Sequence, residues 1–486
     1  MSEPAVRLML NGAQVVVADV PPTLTLLEWL RGRGLTGTKE GCAEGDCGAC
    51  TVAVSRPESA GEGLETRALN ACIMPLAMAH GASVTTVEGI ANASPSGRHP
   101  IQTAMAEQHA SQCGFCTPGF VMSLFARPKN APTHRQALED RLAGNLCRCT
   151  GYGPILSAGA ASAPQADLLH DEAQDRETAN ALRGIGPLDC VSGEHRTIAP
   201  VDEDTFAHAV ADNPGARIIA GATDVGLWIT KSLYDPGVAI LINRVAALSG
   251  VRTEGDQLVV GAATTHDEFH RVVAAYSAQL AELLRRFAGL QVRQAGTVGG
   301  NIANGSPIGD LPPALIAAGA TLTLRHRDDV RCLPLEDFFI GYGKQDRRPG
   351  EYVRSVAIPL AGLSSLSCHK VSKRFDSDIT AVLGAFSLDL KDGIVRSAGI
   401  AFGGMAATPK RARHAEAALI GEEYTPHAVK AASAALEQDF QPISDLRASA
   451  AYRMTVAKNL LVRDHAERTS RSAQTRLTGP ALEKAA

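Results

Sequence analysis

The sequence has no run of eighteen or more uncharged apolar residues, so no segment matches a membrane-spanning helix in length and polarity. It has no excess of either charge: 47 Lys and Arg stand against 51 Asp and Glu, a formal net charge of -4. That balance gives no electrostatic ground for binding nucleic acid or an anionic membrane, and neither partner is expected. The first residues, MSEPAVRLMLNGAQVVV, lack the basic start and apolar run of an export signal, so a cytoplasmic location is expected. At 486 residues the chain is too long for one ordinary core.

Cysteine is scarce after residue 150 and concentrated before it. Eight of the eleven lie in two groups, and the other three are scattered. Without an export signal, such clustering favours metal or cluster ligation over disulfides. The stretch GCAEGDCGAC, 41–50, sets Cys42, Cys47 and Cys50 at C-x4-C-x2-C spacing, and Cys72 follows. This is the ligand pattern of a plant-type [2Fe-2S] centre. Its glycines suit a loop that must turn sharply and aim backbone N–H groups at sulfur. A zinc site usually pairs CxxC with a second CxxC or with closely spaced histidines; no such histidine pair stands nearby, so the two-iron reading ranks above it.

Around this loop the pattern is that of a small mixed sheet. VRLML and QVVVADV flank Asn11-Gly12, a hairpin signal; LTLLEWLRGRG, 24–34, has helical spacing; TVAVS, 51–55, reads as a strand. The second cysteine group is set differently. Two helix-like segments meet at Cys113 and Cys116, and a third ends at Gly144 just before Cys147 and Cys149. Four sulfurs at two helix junctions can hold a second cluster, and a four-thiolate zinc site is a serious alternative.

C-x4-C-x2-C, then QCGFCTPG, then GNLCRCTGY together resemble the iron–sulfur part of the molybdenum hydroxylases, the xanthine dehydrogenase and aldehyde oxidase family. The resemblance implies a β-grasp ferredoxin-like domain over 1–82 whose [2Fe-2S] cluster is held by Cys42, Cys47, Cys50 and Cys72. It implies a four-helix [2Fe-2S] domain over 83–160 whose cluster is held by Cys113, Cys116, Cys147 and Cys149. Gln112 would touch the pterin of the molybdenum cofactor.

Another helix begins near Pro154; residues 157–195 are small and charged with little apolar periodicity, and 161–195 is read as a linker with room for one short helix. Beyond it, ARIIAGATDVGLWITK, 216–231, reads as a strand, a glycine turn and a helix; neither a GxGxxG fingerprint nor a Walker A sequence stands there. TVGGNIANGSPIGDLPPALIA resembles the flavin-binding segment of the same family, and GYGKQDRRPGE and SKRFDSDITA follow in the family's order. IAFGGMAATPKRA, 400–412, looks like the start of the C-terminal flavoprotein subdomain.

The implied layout is an α+β FAD-binding domain over 196–363, a C-terminal α+β flavoprotein subdomain over 364–470 and a tail over 471–486. The whole is thus an α+β multidomain chain. Carried over by position, the turn Arg217, Ile218, Ile219, Ala220, Gly221, Ala222, Thr223, Asp224 and Val225 wraps the FAD pyrophosphate, and Phe287 lies against the isoalloxazine. Thr297, Val298, Gly299, Gly300 and Asn301 serve the phosphates, Asp310 meets a polar part of the nucleotide, and Val353 and Lys370 complete the pocket. Ala222 stands where the family commonly has glycine or a polar residue. The stretch Val371 to Thr380 resembles a segment that governs access of NAD to the flavin.

No molybdenum-pocket motif appears in the remaining residues, and no catalytic residue for substrate is assigned to this chain. The resemblance implies a large molybdopterin-binding partner subunit in a heterotetramer, and NAD as electron acceptor. The activity expected is purine hydroxylation, hypoxanthine to xanthine to urate. The alternatives are the same relay for aldehydes or N-heterocycles, a non-catalytic electron carrier, and a zinc-stabilised interaction module.

Overall fold

The computed structural model describes residues 3–59, 61–93 and 97–470. The expected tail, 471–486, lies outside the described residues. The chain divides into two compact units, one of residues 1–247 with 288–296 and one of 248–287 with 297–486.

In the first unit, β1 (Val6–Leu10) and β2 (Ala13–Val17) form the expected hairpin. Asn11 and Gly12 both take positive φ, 50° and 86°, as a twisted two-residue hairpin turn demands. Next, α1 (Leu26–Gly32) opens with a capping box between Thr25 and Glu28 and buries Leu26, Leu27 and Leu30; such a cap contributes about 1 kcal/mol. The one GxGxxG string of the chain, Gly32 to Gly37, begins at the end of this helix. It therefore lacks the strand-to-helix setting of a dinucleotide fingerprint. β3 (Thr51–Pro57), β4 (Leu64–Asn70) and β5 (Ser83–Thr85) complete a sheet of order β2-β1-β5-β3-β4 with β1 and β5 parallel. This is the expected β-grasp, and the loop 41–50 enters its third strand directly.

Four helices follow: α2 (Pro100–Glu107), α3 (Thr117–Phe125), α4 (Arg135–Leu142) and α5 (Gly153–Leu168). They share a core of Ile101, Met105, Phe120, Leu124, Leu138 and Ile155. The expected linker is largely helical: α5 runs to Leu168, and α6 (Glu172–Arg183) packs on β3 and β4. The sequence hides how far these helices run. α5 buries mainly small residues, Ala158, Gly159, Ser162 and Ala163, and α6 buries only Ala179 and Leu182.

β6 (Leu188–Ser192), β7 (His195–Ala199), α7 (Glu203–Asp212), β8 (Arg217–Ile219), α8 (Val225–Ser232) and β9 (Val238–Leu241) close the first unit, with sheet order β6-β7-β9-β8. Leu188, Cys190, Ile219, Ala239 and Leu241 share one apolar core with Val6, Leu26 and Val84 of the β-grasp domain. The opening strands of the expected FAD-binding domain thus bury their apolar face against the first iron–sulfur domain.

The second unit contains β10 (Val251–Glu254), β11 (Gln257–Gly261), α9 (His266–Val273) and α10 (Ala278–Arg286). After them, α11 (Leu290–Ala295) belongs to the first unit. α12 (Val298–Asn304), α13 (Leu311–Ala317), β12 (Thr321–His326), β13 (Asp329–Pro334), the hairpin β14 (Phe339–Gly341) and β15 (Lys344–Gln345), β16 (Tyr352–Pro359) and α14 (Leu360–Ser364) follow. The main sheet runs β10-β11-β16-β12-β13.

A second sheet joins β17 (Leu366–Val371), β18 (Val382–Lys391), β19 (Ile394–Gly403) and β20 (Lys410–Arg411) in that order. It is backed by α15 (Arg413–Ala417), α16 (Pro426–Asp439) and α17 (Ala450–Thr469). The stretch 400–412 falls inside this subdomain, across β19 and β20, and not at its start. Sequence placed it late because the preceding strands carry only a generic alternating pattern.

Candidate cluster and flavin sites

The first thiol set comes together. Cys42 is a hydrogen-bonding neighbour of Cys47 and of Cys72, and Cys72 of Cys50. Cys50 and Cys72 are buried, and Cys42 and Cys47 half-buried. The loop aims backbone N–H groups at sulfur: Cys47 N donates to Cys42 Sγ at 3.3 Å, Glu44 N to Cys42 Sγ at 3.4 Å, and Cys42 N to Cys47 Sγ at 3.4 Å. Hydrogen bonds donated by Cys47 and Cys72 hold the Cys42 thiol well below its usual range, and the bond from Cys72 lowers Cys50. The donors, Cys47 and Cys72, are raised in turn, chiefly by those same bonds and then by burial.

Four thiols in mutual contact, with backbone N–H donors trained on sulfur, are the donor set a [2Fe-2S] centre takes. Among the described residues no group of three or more His, Cys, Asp or Glu is arranged to hold a single metal ion. Four cysteine thiolates spread around a two-iron core need not converge on one point as single-ion ligands do.

The second set pairs Cys116 with Cys147 and Cys113 with Cys149. Cys116 is the N-cap of α3, and Cys147 and Cys149 lie between α4 and α5. Burial, with help from Cys147, pushes the Cys116 thiol up to about 12. Burial also acts upward on Cys147, but hydrogen bonds from the Thr150 side chain and backbone outweigh it and lower the thiol. Cys149 is raised by its hydrogen bond with Cys113. Tyr152 Oη accepts from Cys147 N at 3.0 Å and Thr150 Oγ1 lies 3.2 Å from Cys147 Sγ, two supports that the sequence analysis did not assign. This set is more open: Cys113, Cys149 and Gln112 are exposed, as are Phe115, Leu146 and Tyr152.

In the first unit, the expected pyrophosphate turn is the connection between β8 and α8. Ala222 takes φ 58°, the left-handed conformation, which explains why glycine suits this position. At Gly221 an added Cβ would sit 1.9 Å from the Ala295 carbonyl oxygen, so only glycine permits the packing of the turn on α11. Ile219 is buried in the shared core. Arg217 is engaged by neighbours: its guanidinium lies 5.1 Å from the Trp228 ring centre and 5.5 Å from that of Tyr234, and Nε donates to Tyr234 Oη at 3.3 Å. The far end of α8 meets the first cysteine loop. Thr230 Oγ1 donates to Ala43 O at 2.9 Å, and Lys231 Nζ donates to Cys42 O at 2.5 Å. No motif signalled either residue.

In the second unit, Thr297 caps α12, its hydroxyl accepting from Gly300 N at 3.0 Å. Val298 N and Gly299 N donate to Thr264 O and Ala262 O, both at 2.9 Å. The first turn of α12 is therefore already satisfied by the protein, and the group left open there is Asn301, whose buried Oδ1 has no partner. Phe287 lies 4.7 Å, ring to ring, from His266. Asp310 and Lys370 meet directly, Nζ to Oδ2 at 2.6 Å with both side chains nearly buried, and the Thr380 hydroxyl donates to the other carboxylate oxygen. The two oxygens of Asp310, the residue expected to meet the nucleotide, tie β17 and the segment after it to the start of α13. Val353 is buried in β16. The orphaned buried amide oxygen of Asn301 is a polar atom that a bound nucleotide can satisfy, which fits a flavin nucleotide here.

Four family profiles match in sequence: "2Fe-2S iron-sulfur cluster binding domain" at residues 8–77, "[2Fe-2S] binding domain" at 86–160, "FAD binding domain in molybdopterin dehydrogenase" at 193–361 and "CO dehydrogenase flavoprotein C-terminal domain" at 367–467. The chain is 35% identical to the xanthine dehydrogenase of Emericella nidulans over 90% of its own length and 36% of the relative's. It is 32% identical to aldehyde oxidase 1 of Rattus norvegicus over 87% of its length and 36% of that protein's. It thus spans about a third of these relatives. Reconstituted CO dehydrogenase from Oligotropha carboxidovorans aligns over 57% of this chain and 97% of the solved one, with TM-score 0.53 and 27% identity. The order and identity of the four domains place this chain in the molybdenum hydroxylase family, as its iron–sulfur and FAD-binding part.

Proposed function

We propose that this chain carries electrons for a xanthine dehydrogenase, between a molybdopterin site on a larger partner and NAD. The observation that carries the reading is two complete four-thiol sets followed by the flavoprotein domains in one chain, one set enclosed and the other open at the surface. Cys113, Cys116, Cys147 and Cys149 hold the outer [2Fe-2S] cluster, and Cys42, Cys47, Cys50 and Cys72 hold the inner one. When bound, the clusters carry single electrons and FAD gathers two of them for hydride transfer to NAD.

The chain's residues bind, orient and shield these groups. Backbone N–H groups of Cys42, Glu44 and Cys47 stabilise negative sulfur. For FAD, the first unit offers the turn Arg217 to Val225 and the second offers Phe287 and the open Asn301, while Asp310, bridged to Lys370 and Thr380, holds the segment after β17 in place. Gln112, exposed beside Cys113, and the exposed Phe115 and Leu146 offer the partner a polar and an apolar contact next to sulfur. The partner is a molybdopterin-binding subunit, and the complex is a heterotetramer working in the cytoplasm. No helix among the described residues is long and apolar enough to cross a membrane.

The first test is an anaerobic visible spectrum of the protein before and after NADH. Bleaching of flavin and iron–sulfur absorption together is the expected result; a coloured protein that NADH leaves unchanged would remove NAD from the reading. Xanthine turnover by the assembled complex tests the substrate. Efficient oxidation of an aldehyde or N-heterocycle with none of xanthine would favour the second reading, which the aldehyde oxidase relative supports.

A further inference from the structure

Between the two thiol loops lies a buried polar knot that neither ligates sulfur nor belongs to a hydrophobic core. Thr51, Ser123, Asn145 and Gln291 are 1%, 0%, 3% and 1% exposed. They come from β3, α3, the loop before Cys147 and α11, so four separate elements of the first unit converge here. Asn145 is the centre. Its Nδ2 donates to Gly48 O at 3.1 Å, inside the first cysteine loop, and its Oδ1 accepts from Ser123 Oγ at 2.6 Å and Gln291 Nε2 at 2.8 Å. Gln291 Nε2 also reaches Ser123 Oγ at 3.0 Å, and Thr51 Oγ1 donates to Gly48 O at 2.6 Å.

The knot frames one backbone bond. Leu146 N donates to Cys47 O at 3.0 Å. Cys47 is a ligand residue of the first set, and Leu146 is bonded to Cys47's counterpart in the second, Cys147. A short continuous route therefore runs from one ligand residue through a carbonyl, one hydrogen bond and one peptide unit to the other. Electron tunnelling falls off more slowly through bonds and hydrogen bonds than through space, so the length of that hydrogen bond matters to the rate. Four buried polar side chains are not needed for stability alone, since apolar side chains of similar volume can fill such a site equally well. They are suited to fixing a single register of the two loops.

We propose that Asn145, held by Ser123 and Gln291, is a positioning residue for electron exchange between the two cluster-binding loops. The inference rests on the electron-carrying function proposed above. The step moves one electron and no atom: the group on the Cys113, Cys116, Cys147 and Cys149 set is oxidised by one electron, and the group on the Cys42, Cys47, Cys50 and Cys72 set is reduced by one.

The test uses the full chain, loaded with iron, sulfide and FAD, as wild type and as Asn145→Ala, Gln291→Met and Thr51→Ser. Two readouts are taken: the magnetic splitting between the centres in the electron paramagnetic resonance spectrum of fully reduced protein, and the rate of electron equilibration after a flash from a one-electron photoreductant. Expected are unchanged visible absorption and midpoint potentials in all variants, with equilibration slowed about tenfold or more and splitting diminished in Asn145→Ala and Gln291→Met. Thr51→Ser keeps the hydroxyl and the wild-type rate. If Asn145→Ala does not fold, Gln291→Met decides alone, because its substitute fills a similar volume. Variants with full absorption, wild-type splitting and wild-type rate would overturn the proposal while leaving the proposed function intact. A wild-type protein that loads no clusters would overturn both.

Discussion

The two thiol sets differ in how the fold encloses them. The first grows from a loop that runs from α1 into β3 of the β-grasp sheet, and it buries Cys50 and Cys72. The second sits at helix junctions, exposes Cys113 and Cys149, and is ringed by the exposed Phe115, Leu146 and Tyr152. A sheet loop can surround its ligands with backbone, whereas helix ends meeting at a junction leave one side open. The enclosed set suits a group that exchanges electrons within the chain, and the open one a group that meets another molecule.

The sharpest way to break the comparison is to remove one ligand from each set. Cys50→Ser is expected to lose about half the iron and to destabilise the protein by on the order of 5 kcal/mol, because ligation there is coupled to the first core. Cys149→Ser, on the open side, loses a similar share of iron with a much smaller fall in stability; iron analysis beside thermal melts checks both. Equal falls would show that the two sets are equally integral to the fold.

The loops themselves offer the next contrast. Gly48 has φ 69°, and an added Cβ would lie 2.2 Å from the Gly144 carbonyl oxygen. Gly114 has φ 82°, but the nearest atom to an added Cβ is 4.0 Å away. Gly48→Ala is expected to cost roughly 3–4 kcal/mol by clash and strain, and Gly114→Ala about 1–2 kcal/mol by strain alone. Chemical denaturation of the two variants measures the difference.

Acid should strike both domains alike, through one buried histidine each. Burial lowers His80, in the β-grasp domain, and His99, the cap of α2, to about 4. His80 is locked as one neutral tautomer, accepting from Arg7 N at 3.0 Å and facing Gly186 O at 3.0 Å. A folded-state value below the unfolded one means the stabilisation is complete above the ordinary histidine range and is lost as pH falls from about 6.5 to about 4. Each site contributes on the order of 3 kcal/mol to that loss. His80→Gln and His99→Gln are expected to flatten the stability curve over this window; an unchanged slope would mean that other groups control it.

The smallest effect expected is electrostatic. Lys231 Nζ touches the Cys42 carbonyl and lies 3.6 Å from Glu44, with its side chain 44% exposed. Lys231→Met should lower the potential of the first cluster by about a threefold change in its reduction equilibrium, limited by solvent screening, and leave the second unchanged. A redox titration followed by paramagnetic resonance distinguishes the two centres.

Much of this was legible because the signals are local. The cysteine spacings, the Asn11-Gly12 turn and the helical spacing over 24–34 each depend on residues only a few positions apart, and all three stand in the fold. The extent of the helices over 157–183 was not legible, since α5 packs through small residues and α6 is mostly charged. Nor was the Asp310–Lys370 pair, whose members are sixty residues apart on α13's cap and β17. Ala222 looked like a departure from pattern in the sequence, and its φ shows that the turn imposes its conformation on whichever residue stands there.

By itself the sequence determined where the cysteines group, in what order the domains come, and that a flavoprotein follows two iron–sulfur domains, because cysteine spacing and turn chemistry are set within a few peptide units. Only the tertiary structure decided that the opening strands of the flavin domain share a core with the first cluster domain, that Lys231 reaches the Cys42 loop, and that Asn145 and Gln291 meet between the thiol sets. Those contacts join residues far apart in the chain, and their partners are chosen by burial and by the need of each enclosed polar group to find a hydrogen bond, conditions that exist only once the chain has closed on itself.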